Sequence, residues 1–193
     1  MKTPSSIAPD WNRLFDFAVS QEGLFSAQQA AAAGYSAQLL AHHVAAGRMT
    51  RVRRGVYRLV HYPAGEHEDL VAVWLWTERV GVFSHETALS LHDLSDVLPH
   101  KVHVTLPTNW RHRRLRVPDG VVVHFGNVSE AHRCWYGPVP TTTVERTLED
   151  CERDFVSPEI IEAAWGDAIR RGVVSAHSRN PLPITHRKHN EAI

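Results

Sequence analysis

Hydrophobic residues recur at helical spacing in three short segments near the start of the chain. In "DWNRLFDFAVSQEG" the apolar positions fall three or four residues apart, and Asp10 can cap the first turn. "FSAQQAAAAG" and "YSAQLLAHHVAAG" repeat this arrangement, with Ser26 and Ser36 as caps and a glycine after each helix. Because a very short turn separates the second and third segments, the pattern predicts a helix-turn-helix.

The hydrophobic pattern changes to alternation directly after the third helix. In "RMTRVRRGVYRL" we expect Met49, Val52 and Val56 to contact the core while the arginines face outward. The Arg-Gly step in the middle predicts a tight turn between two strands. Three helices followed by a basic hairpin form a winged helix-turn-helix, which we assign to residues 8–62.

The rest of the chain mixes helical and strand patterns. "EHEDLVAVWLWTERVG" predicts a largely buried helix with an acidic first turn. Further helices are predicted at about 84–92, in "TTTVERTLEDC" and in "SPEIIEAAWGDAIRRGVVS", and strands at 101–106 and in "GVVVHFGNV". The predicted fold class is therefore α+β, with a C-terminal mixed α/β domain at 63–175. Residues 176–193 are polar and interrupted by proline, and we predict a disordered tail.

Charge is distributed unevenly along this chain of 193 residues, although 21 Lys and Arg balance 21 Asp and Glu. Residues 1–62 carry seven basic and three acidic side chains, a net charge of +4. Residues 63–128 carry six and eight, and residues 129–193 eight and ten, so each stretch has a net charge of −2. A basic N-terminal module joined to an acidic remainder indicates two tasks.

Two further features of the sequence predict where in the cell the protein acts. No run approaches 18 apolar residues, and the N-terminus has no hydrophobic stretch typical of a secretory signal. The two cysteines, Cys134 and Cys151, share no metal or redox spacing. We therefore expect a cytoplasmic protein without a membrane partner or a disulfide framework.

The basic ribbon at 48–59 predicts contact with nucleic acid. Guanidinium groups suit phosphate because they donate two parallel hydrogen bonds, and the outward face of the third helix would enter a major groove, where Gln38 could read adenine. The alternative is a protein-interaction module, in which edge arginines discourage aggregation. The candidate DNA-binding residues are Ser36, Gln38, His42, Arg48, Arg51, Arg53, Arg54 and Arg58.

A second basic segment, "NWRHRRLRVPDG" at 109–120, lies in a predicted loop or hairpin between two strands. It could be a second nucleic-acid contact, since Trp110 offers a stacking surface. It could equally be a solvated hairpin tip. The candidate residues of this second patch are Arg111, Arg113, Arg114 and Arg116.

The segment "SHETALSLH" raises the question of catalysis. His85 and His92 share a helix face, but a metal site would need further ligands, for which His100 and His103 are the nearby candidates. We favour a structural interpretation, in which Ser84 caps the helix and the two histidines make buried hydrogen bonds. The acids of "VERTLEDCERD" are spaced as a solvated helix face. Since no metalloprotease, phosphate-loop or nucleophile motif is present, we predict no catalytic residues, no metal, no cofactor and no enzyme. A metal-assisted nuclease is the alternative.

Three blocks of sequence carry a family resemblance. "RVRRGVYRL", "SHETALSLHDLSDVLPHKVHVTLP" and "VPTTTVERTLEDC", in this order between about residues 10 and 172, resemble the AbiEi family of antitoxins from type IV toxin–antitoxin systems. The chain has Asp93 where the family pattern has a glycine, which bears on the turn after the helix. The resemblance assigns Arg51, Arg53, Arg54 and Tyr57 to the family's wing, and Ser84, His85, Leu91 and His92 to its "SH…AL.LH" helix.

The resemblance implies a function with two parts. The winged domain of such a protein binds double-stranded DNA at the promoter of its own operon and represses transcription. The C-terminal domain counteracts a nucleotidyltransferase-like toxin, which is a functional partner whether or not the two proteins touch. A solitary transcriptional regulator without a toxin is the alternative.

Overall fold

The computed structural model of the chain describes residues 8–94, 99–154 and 156–175. Its architecture is α+β, as predicted, with an N-terminal winged helix-turn-helix followed by a mixed α/β unit. The tail predicted at 176–193 lies outside the described residues. The longest described helix has 13 residues, and none of the described helices is long and apolar enough to cross a bilayer.

The first three helices begin at their predicted caps. They are α1 (Trp11–Val19), α2 (Ala27–Ala32) and α3 (Ala37–Ala45). The side chains of Asp10, Ser26 and Ser36 each accept a hydrogen bond from a backbone N–H group of the first turn. Ser26 also forms a reciprocal capping box with Gln29. These bonds satisfy donors that the helices leave unpaired. The turn between α2 and α3 passes through Gly34, which has a φ of +83°.

A three-stranded antiparallel sheet completes the winged unit. Its strands are β1 (Leu24–Ser26), β2 (Met49–Arg53) and β3 (Val56–Leu59), in the order β1-β3-β2. Gly23 precedes β1 with a φ of +83°, and the Tyr62 ring lies 2.6 Å from the point where a Cβ atom would stand. Glycine is therefore required at this turn. The sequence pattern did not predict β1, because three residues are too few to show alternation.

Helix α4 (Glu68–Trp76) packs between two sheets. Its Val71 and Val73 are fully buried and form one core with Leu24 and Val56 of the winged unit. Phe83, Val104 and Val139 of the second sheet belong to the same core. The winged unit is thus continuous with the rest of the fold through α4.

The second sheet has five strands. They are β4 (Val82–Phe83), β5 (Val102–Leu106), β6 (Val121–Phe125), β7 (Arg133–Tyr136) and β8 (Val139–Thr142), in the order β6-β5-β4-β8-β7. The β5–β6 and β4–β8 pairs are parallel, and the β4–β5 and β7–β8 pairs are antiparallel. The sequence predicted β5 and β6 but missed the other three strands, because β4 has two residues and Pro140 interrupts the last hairpin.

Three more helices pack with this sheet, namely α5 (His85–Leu91), α6 (Val144–Arg153) and α7 (Pro158–Arg170). Leu89, Leu148 and Trp165, one from each helix, are buried together. Ser84 occupies the N-cap position of α5 as predicted, but its hydroxyl makes no capping bond. That hydroxyl instead lies 2.8 Å from Thr105 Oγ1 and 2.9 Å from His85 Nδ1.

Candidate nucleic-acid interface

The outward face of α3 is exposed as the spacing predicted. Ser36, Gln38 and His42 are all exposed, while Leu40 on the opposite side is buried. The Ser36 hydroxyl accepts a hydrogen bond from the Leu39 N–H group at 3.2 Å. Within the described part of the chain, the side chains of Gln38 and His42 make no hydrogen bond. These two polar groups are therefore available to a ligand.

The basic ribbon is the hairpin of β2 and β3 with its turn at 54–55. Arg48, Arg51 and Arg54 are exposed, and Arg53 is half-buried. Gly55 adopts a φ of +77° in the turn, a conformation that side chains with a Cβ rarely take. The tip of the ribbon thus presents several guanidinium groups close together.

Val52 departs from the prediction that it contacts the core. Its side chain is 42% exposed, whereas Met49 and Val56 are buried as expected. The pairing register shifts between Arg51, which lies opposite Tyr57, and Arg53, which lies opposite Val56. Val52 is therefore the extra residue of a β-bulge, and a bulge turns its residue out of the regular alternation.

Arg58 differs from the other arginines of the ribbon. It lies on the central strand β3, and its side chain is 20% exposed. Its Nε donates to Glu68 Oε1 at 2.8 Å, and a terminal nitrogen donates to the Tyr62 carbonyl at 2.8 Å. These bonds hold β3 against the start of α4.

The second basic segment is a crossover rather than a hairpin. Because β5 and β6 are parallel, the chain between them must return to the end of the sheet at which β5 begins. A 3-10 helix at Thr108–His112 begins this return. Trp110 is buried to 5% exposure, and the Arg113 guanidinium lies 4.0 Å above its ring. The expectation that Trp110 offers a stacking surface for bases is therefore wrong, since protein covers the ring.

The arginines of the crossover differ in how firmly they are held. Arg111 lies 5.5 Å from the centre of the Phe125 ring, and Arg113 reaches Glu78 at 3.6 Å. Arg114 and Arg116 are exposed and have no ion pair among the residues that the structure describes. Arg111 and Arg113 hold the loop in position, while Arg114 and Arg116 are available to bind an anion.

The two basic segments meet in one open cleft of about 900 Å³. Arg53 and Arg54 of the ribbon line one part of it, and three crossover arginines line another. Glu78 is the one acidic residue among those that line the cleft. Sequence reasoning treated these segments as separate patches, because no local pattern relates positions so far apart. The crossover arginines in the cleft are Arg113, Arg114 and Arg116.

The acids of α6 do not form the solvated face that their spacing predicted. Asp150 is buried, and its Oδ1 accepts hydrogen bonds from Arg146 at 2.8 Å and Arg153 at 2.7 Å. Glu152 accepts a hydrogen bond from the Trp165 indole at 2.9 Å. The prediction failed because α5 and α7 cover parts of this helix, so some of its acids are structural.

His85 and His92 do not share a site. His92 Nε2 donates to the Thr142 carbonyl at 2.7 Å, whereas His85 Nε2 donates to Asp154 Oδ2 at 2.9 Å. Both side chains are thus hydrogen-bonded within the protein, as the structural interpretation expected. Burial lowers the pKa of each, and it lowers that of His85 to about 4.

Comparison with known proteins found a family match for the winged unit. A winged helix-turn-helix with a basic ribbon is typical of transcription regulators. Residues 12–60 match the family model described as "Transcriptional regulator, AbiEi antitoxin", which confirms the predicted resemblance over that part of the chain. The crystal structure of RV2827C protein from Mycobacterium tuberculosis is similar to 89% of this chain and 82% of that chain, with 15% sequence identity and a TM-score of 0.44. A search of the curated proteins gave no match.

Proposed function

We propose that the protein is a transcriptional regulator of the AbiEi antitoxin type that binds double-stranded DNA at its own operator. The family match over residues 12–60 supports the regulator class. The observation that carries the proposal is the meeting of the ribbon and the crossover arginines in one basic cleft. Five guanidinium groups beside one carboxylate favour a polyanion such as the DNA backbone.

The recognition helix in this proposal is α3. Its exposed face, with Ser36 at the N-cap, Gln38 in the first turn and His42 in the last turn, enters the major groove. The Gln38 amide can donate to and accept from the two groups that adenine presents there. Sequence recognition would therefore depend chiefly on Gln38.

The arginines have two roles in the proposal. Exposed Arg48, Arg51 and Arg54, together with Arg53, contact phosphates and set the register on the duplex. Arg58 supports the ribbon indirectly, since Glu68 and the Tyr62 carbonyl already occupy its guanidinium group.

The crossover extends the same phosphate-binding surface. Arg114 and Arg116 reach the DNA backbone beyond the groove that α3 occupies. Arg111 and Arg113 keep the loop in position through their contacts with Phe125 and Trp110. The α/β unit would then contribute to affinity but not to base recognition.

The second part of the proposed function is antitoxicity. We infer that the α/β unit counteracts a nucleotidyltransferase-like toxin encoded beside it, and that the protein acts in the cytoplasm. The word "antitoxin" in the description of the matching family supports this inference. A nucleotidyltransferase-like gene next to this reading frame would support an antitoxin, and its absence would favour a solitary regulator.

Salt-dependent DNA binding tests the proposed interface. Each lost phosphate contact lowers the slope of log affinity against log salt by about 0.9. We expect Arg51→Ala/Arg53→Ala/Arg54→Ala to lower it by up to about 2.7, and Arg114→Ala/Arg116→Ala by up to about 1.8, on the operator and on an unrelated duplex.

A matched control is Lys101→Ala/Arg170→Ala, which removes two exposed cations outside the cleft. Its slope should equal that of the parent protein. Equal slopes for the parent and the triple variant would show that the ribbon makes no contact with DNA phosphates. If the parent binds neither duplex at low salt, the winged unit is a protein-interaction module.

A further inference from the structure

Three histidines from three different elements meet on one face of the five-stranded sheet. His85 begins α5, His103 lies in β5 and His124 lies in β6. His124 pairs with Thr105 in the strand register, two positions along from His103, so both imidazoles project from the same face. Asp154 follows the end of α6, and its carboxylate lies beside His85 and His124.

The ring nitrogens of this cluster are close enough to share an ion. One nitrogen from each histidine lies within 4.8 Å of the other two. Asp154 Oδ2 lies 2.9 Å from His85 Nε2 and 3.0 Å from His124 Nδ1. Nitrogen ligands of a tetrahedral zinc ion lie about 3.4 Å apart, for bonds of about 2.0–2.1 Å. Small side-chain rotations would bring the three nitrogens to that spacing.

We propose that His85, His103 and His124 bind a divalent transition-metal ion, for which zinc is the best candidate, and that the Asp154 carboxylate supports the site beside two of the rings. Imidazole and carboxylate groups are common zinc ligands, and three histidines strongly favour such a metal over magnesium or calcium. The site is separate from the DNA-binding residues, so it goes beyond the proposed regulator function.

Contacts within the cluster join its rings to two carboxylates. His103 Nδ1 and His124 Nε2 lie 3.0 Å apart, so one ring donates to the other. Glu86 Oε2 lies 3.1 Å from His103 Nε2, and Asp154 Oδ2 lies 3.0 Å from His124 Nδ1. Two carboxylates beside three imidazoles favour a bound cation.

The three rings are largely shielded from solvent. The side chains of His85, His103 and His124 are 5%, 15% and 20% exposed. A metal ion binds neutral imidazoles, each of which keeps a lone pair on one nitrogen.

Neighbouring groups also orient the rings for binding. The Ser84 hydroxyl lies 2.9 Å from His85 Nδ1, and Glu86 contacts His103 Nε2. His85 Nε2 and His103 Nδ1 are therefore the nitrogens that face the cluster. Metal-binding histidines are commonly fixed in this way by a partner on the other nitrogen. His85 also holds a φ of +52°, a strained backbone conformation for a residue with a Cβ atom.

One side of the cluster is open to solvent. The Asp154 side chain is 44% exposed, so an ion has an entry path and can keep one coordination position for water. No sequence pattern indicated the site, because its ligands are spread from residue 85 to residue 124 without a short motif. The prediction that no metal binds rested on His85 and His92, with His100 and His103 as the nearby ligands, and did not include His124.

Metal titration of the full-length protein tests the proposal. After treatment with a chelator, the protein is titrated with Zn²⁺ by calorimetry and with Co²⁺ by visible absorption. We expect one tightly bound ion per chain and the intense absorption of tetrahedral cobalt. His103→Ala and His124→Ala should each weaken binding at least about 100-fold and abolish that absorption. His132→Ala, which removes an exposed histidine outside the cluster, should behave like the parent.

A second variant covers the case in which a histidine variant fails to fold. Asp154→Asn changes an exposed side chain, and circular dichroism checks its fold. We expect it to weaken zinc binding by about 10-fold to 100-fold and to change the cobalt spectrum. The proposal is overturned if the parent binds no ion at micromolar concentration. It is also overturned if folded variants of the cluster bind as tightly as the parent, since surface histidines would then account for the binding.

Discussion

Protonation of the His92 side chain affects the stability of the α/β unit. Its Nε2 donates to the Thr142 carbonyl, and its backbone carbonyl accepts a hydrogen bond from Arg171 at 3.0 Å. Burial lowers the pKa of His92, and the Arg171 charge lowers it further, although the Thr142 carbonyl opposes the shift. The unfolded chain therefore binds a proton more readily than the folded protein does.

We predict that this difference makes the protein less stable as the pH falls. The free energy of unfolding should decrease as the pH drops through about 6.5, the ordinary histidine value, because the proton binds preferentially to the unfolded chain. His92→Gln keeps an N–H donor for Thr142 but cannot titrate, so its decrease should be shallower. Urea unfolding at several pH values between 5 and 8, with a chelator present, measures both profiles. Parallel profiles would contradict the assignment to His92.

Single residues were predictable where a local rule determines them. The caps of the first three helices follow from a side chain and the next backbone N–H groups, and all three were predicted. Val52, Arg58 and Ser84 were not, because a bulge, an ion pair and a buried hydroxyl pair determine their positions. Each of these features depends on a distant segment.

Helix α4 determines how far the winged unit can be separated from the rest. Leu24 and Val56 are buried against it, and Arg58 pairs with Glu68 at its first turn. The His67 N–H group also donates to Glu22 at 2.9 Å. A domain boundary near residue 62 remains a prediction, and the packing of α4 gives a way to test it.

We expect a fragment of residues 8–80 to be more stable than one of residues 8–63. Loss of α4 would expose one leucine and one valine side chain, which corresponds to roughly 3 kcal/mol of apolar burial. Thermal unfolding of both fragments measures the difference, and the salt dependence of DNA binding should be compared only where each is folded. Equal stability would mean that the winged unit ends at the predicted boundary and that α4 belongs to the α/β unit alone.

Whole elements were predicted best where they are long and periodic. Each of the seven α-helices among the described residues has a predicted counterpart, because apolar spacing and caps are local features. Strands β1, β4, β7 and β8 were missed, since each has two to four residues and is held by pairing with distant strands. The segment at 109–120, predicted as a loop or hairpin, is a crossover because β5 and β6 are parallel.

At the scale of the whole molecule, both candidate sites form from segments that are distant in the chain. The basic cleft joins the ribbon to the crossover, and the histidine cluster joins α5, β5, β6 and the end of α6. Sequence patterns identified most of the side chains in these two sites. They did not predict that the side chains lie close together, because the order of strands in the sheet determines which segments become neighbours. The uneven charge distribution predicted two tasks. In the proposed function, basic residues of the α/β unit that line the cleft also take part in the first task, DNA binding.

The separation of these tasks leads to a test in cells. In the proposed function, DNA binding depends on the ribbon, whereas neutralisation of the toxin depends on the α/β unit. Arg53→Ala/Arg54→Ala should therefore lose repression but still protect cells. If a nucleotidyltransferase-like gene lies beside this reading frame, the variant is expressed from an unrelated promoter together with its product, and growth is measured beside the parent protein and an empty vector. Its protein level must match that of the parent, since instability would mimic loss of function.

We expect growth close to that with the parent protein, because Arg53 and Arg54 lie at the tip of the ribbon and neither is fully buried. A reporter fused to the operator should lose repression in the same cells, which separates the two readouts. Arg114→Ala/Arg116→Ala provides the complementary case, since it changes the α/β side of the cleft. Loss of protection with Arg53→Ala/Arg54→Ala at normal protein level would mean that repression and neutralisation share the basic ribbon. Loss with the crossover variant alone would instead indicate that the toxin, or its nucleic-acid target, is bound at that side of the cleft.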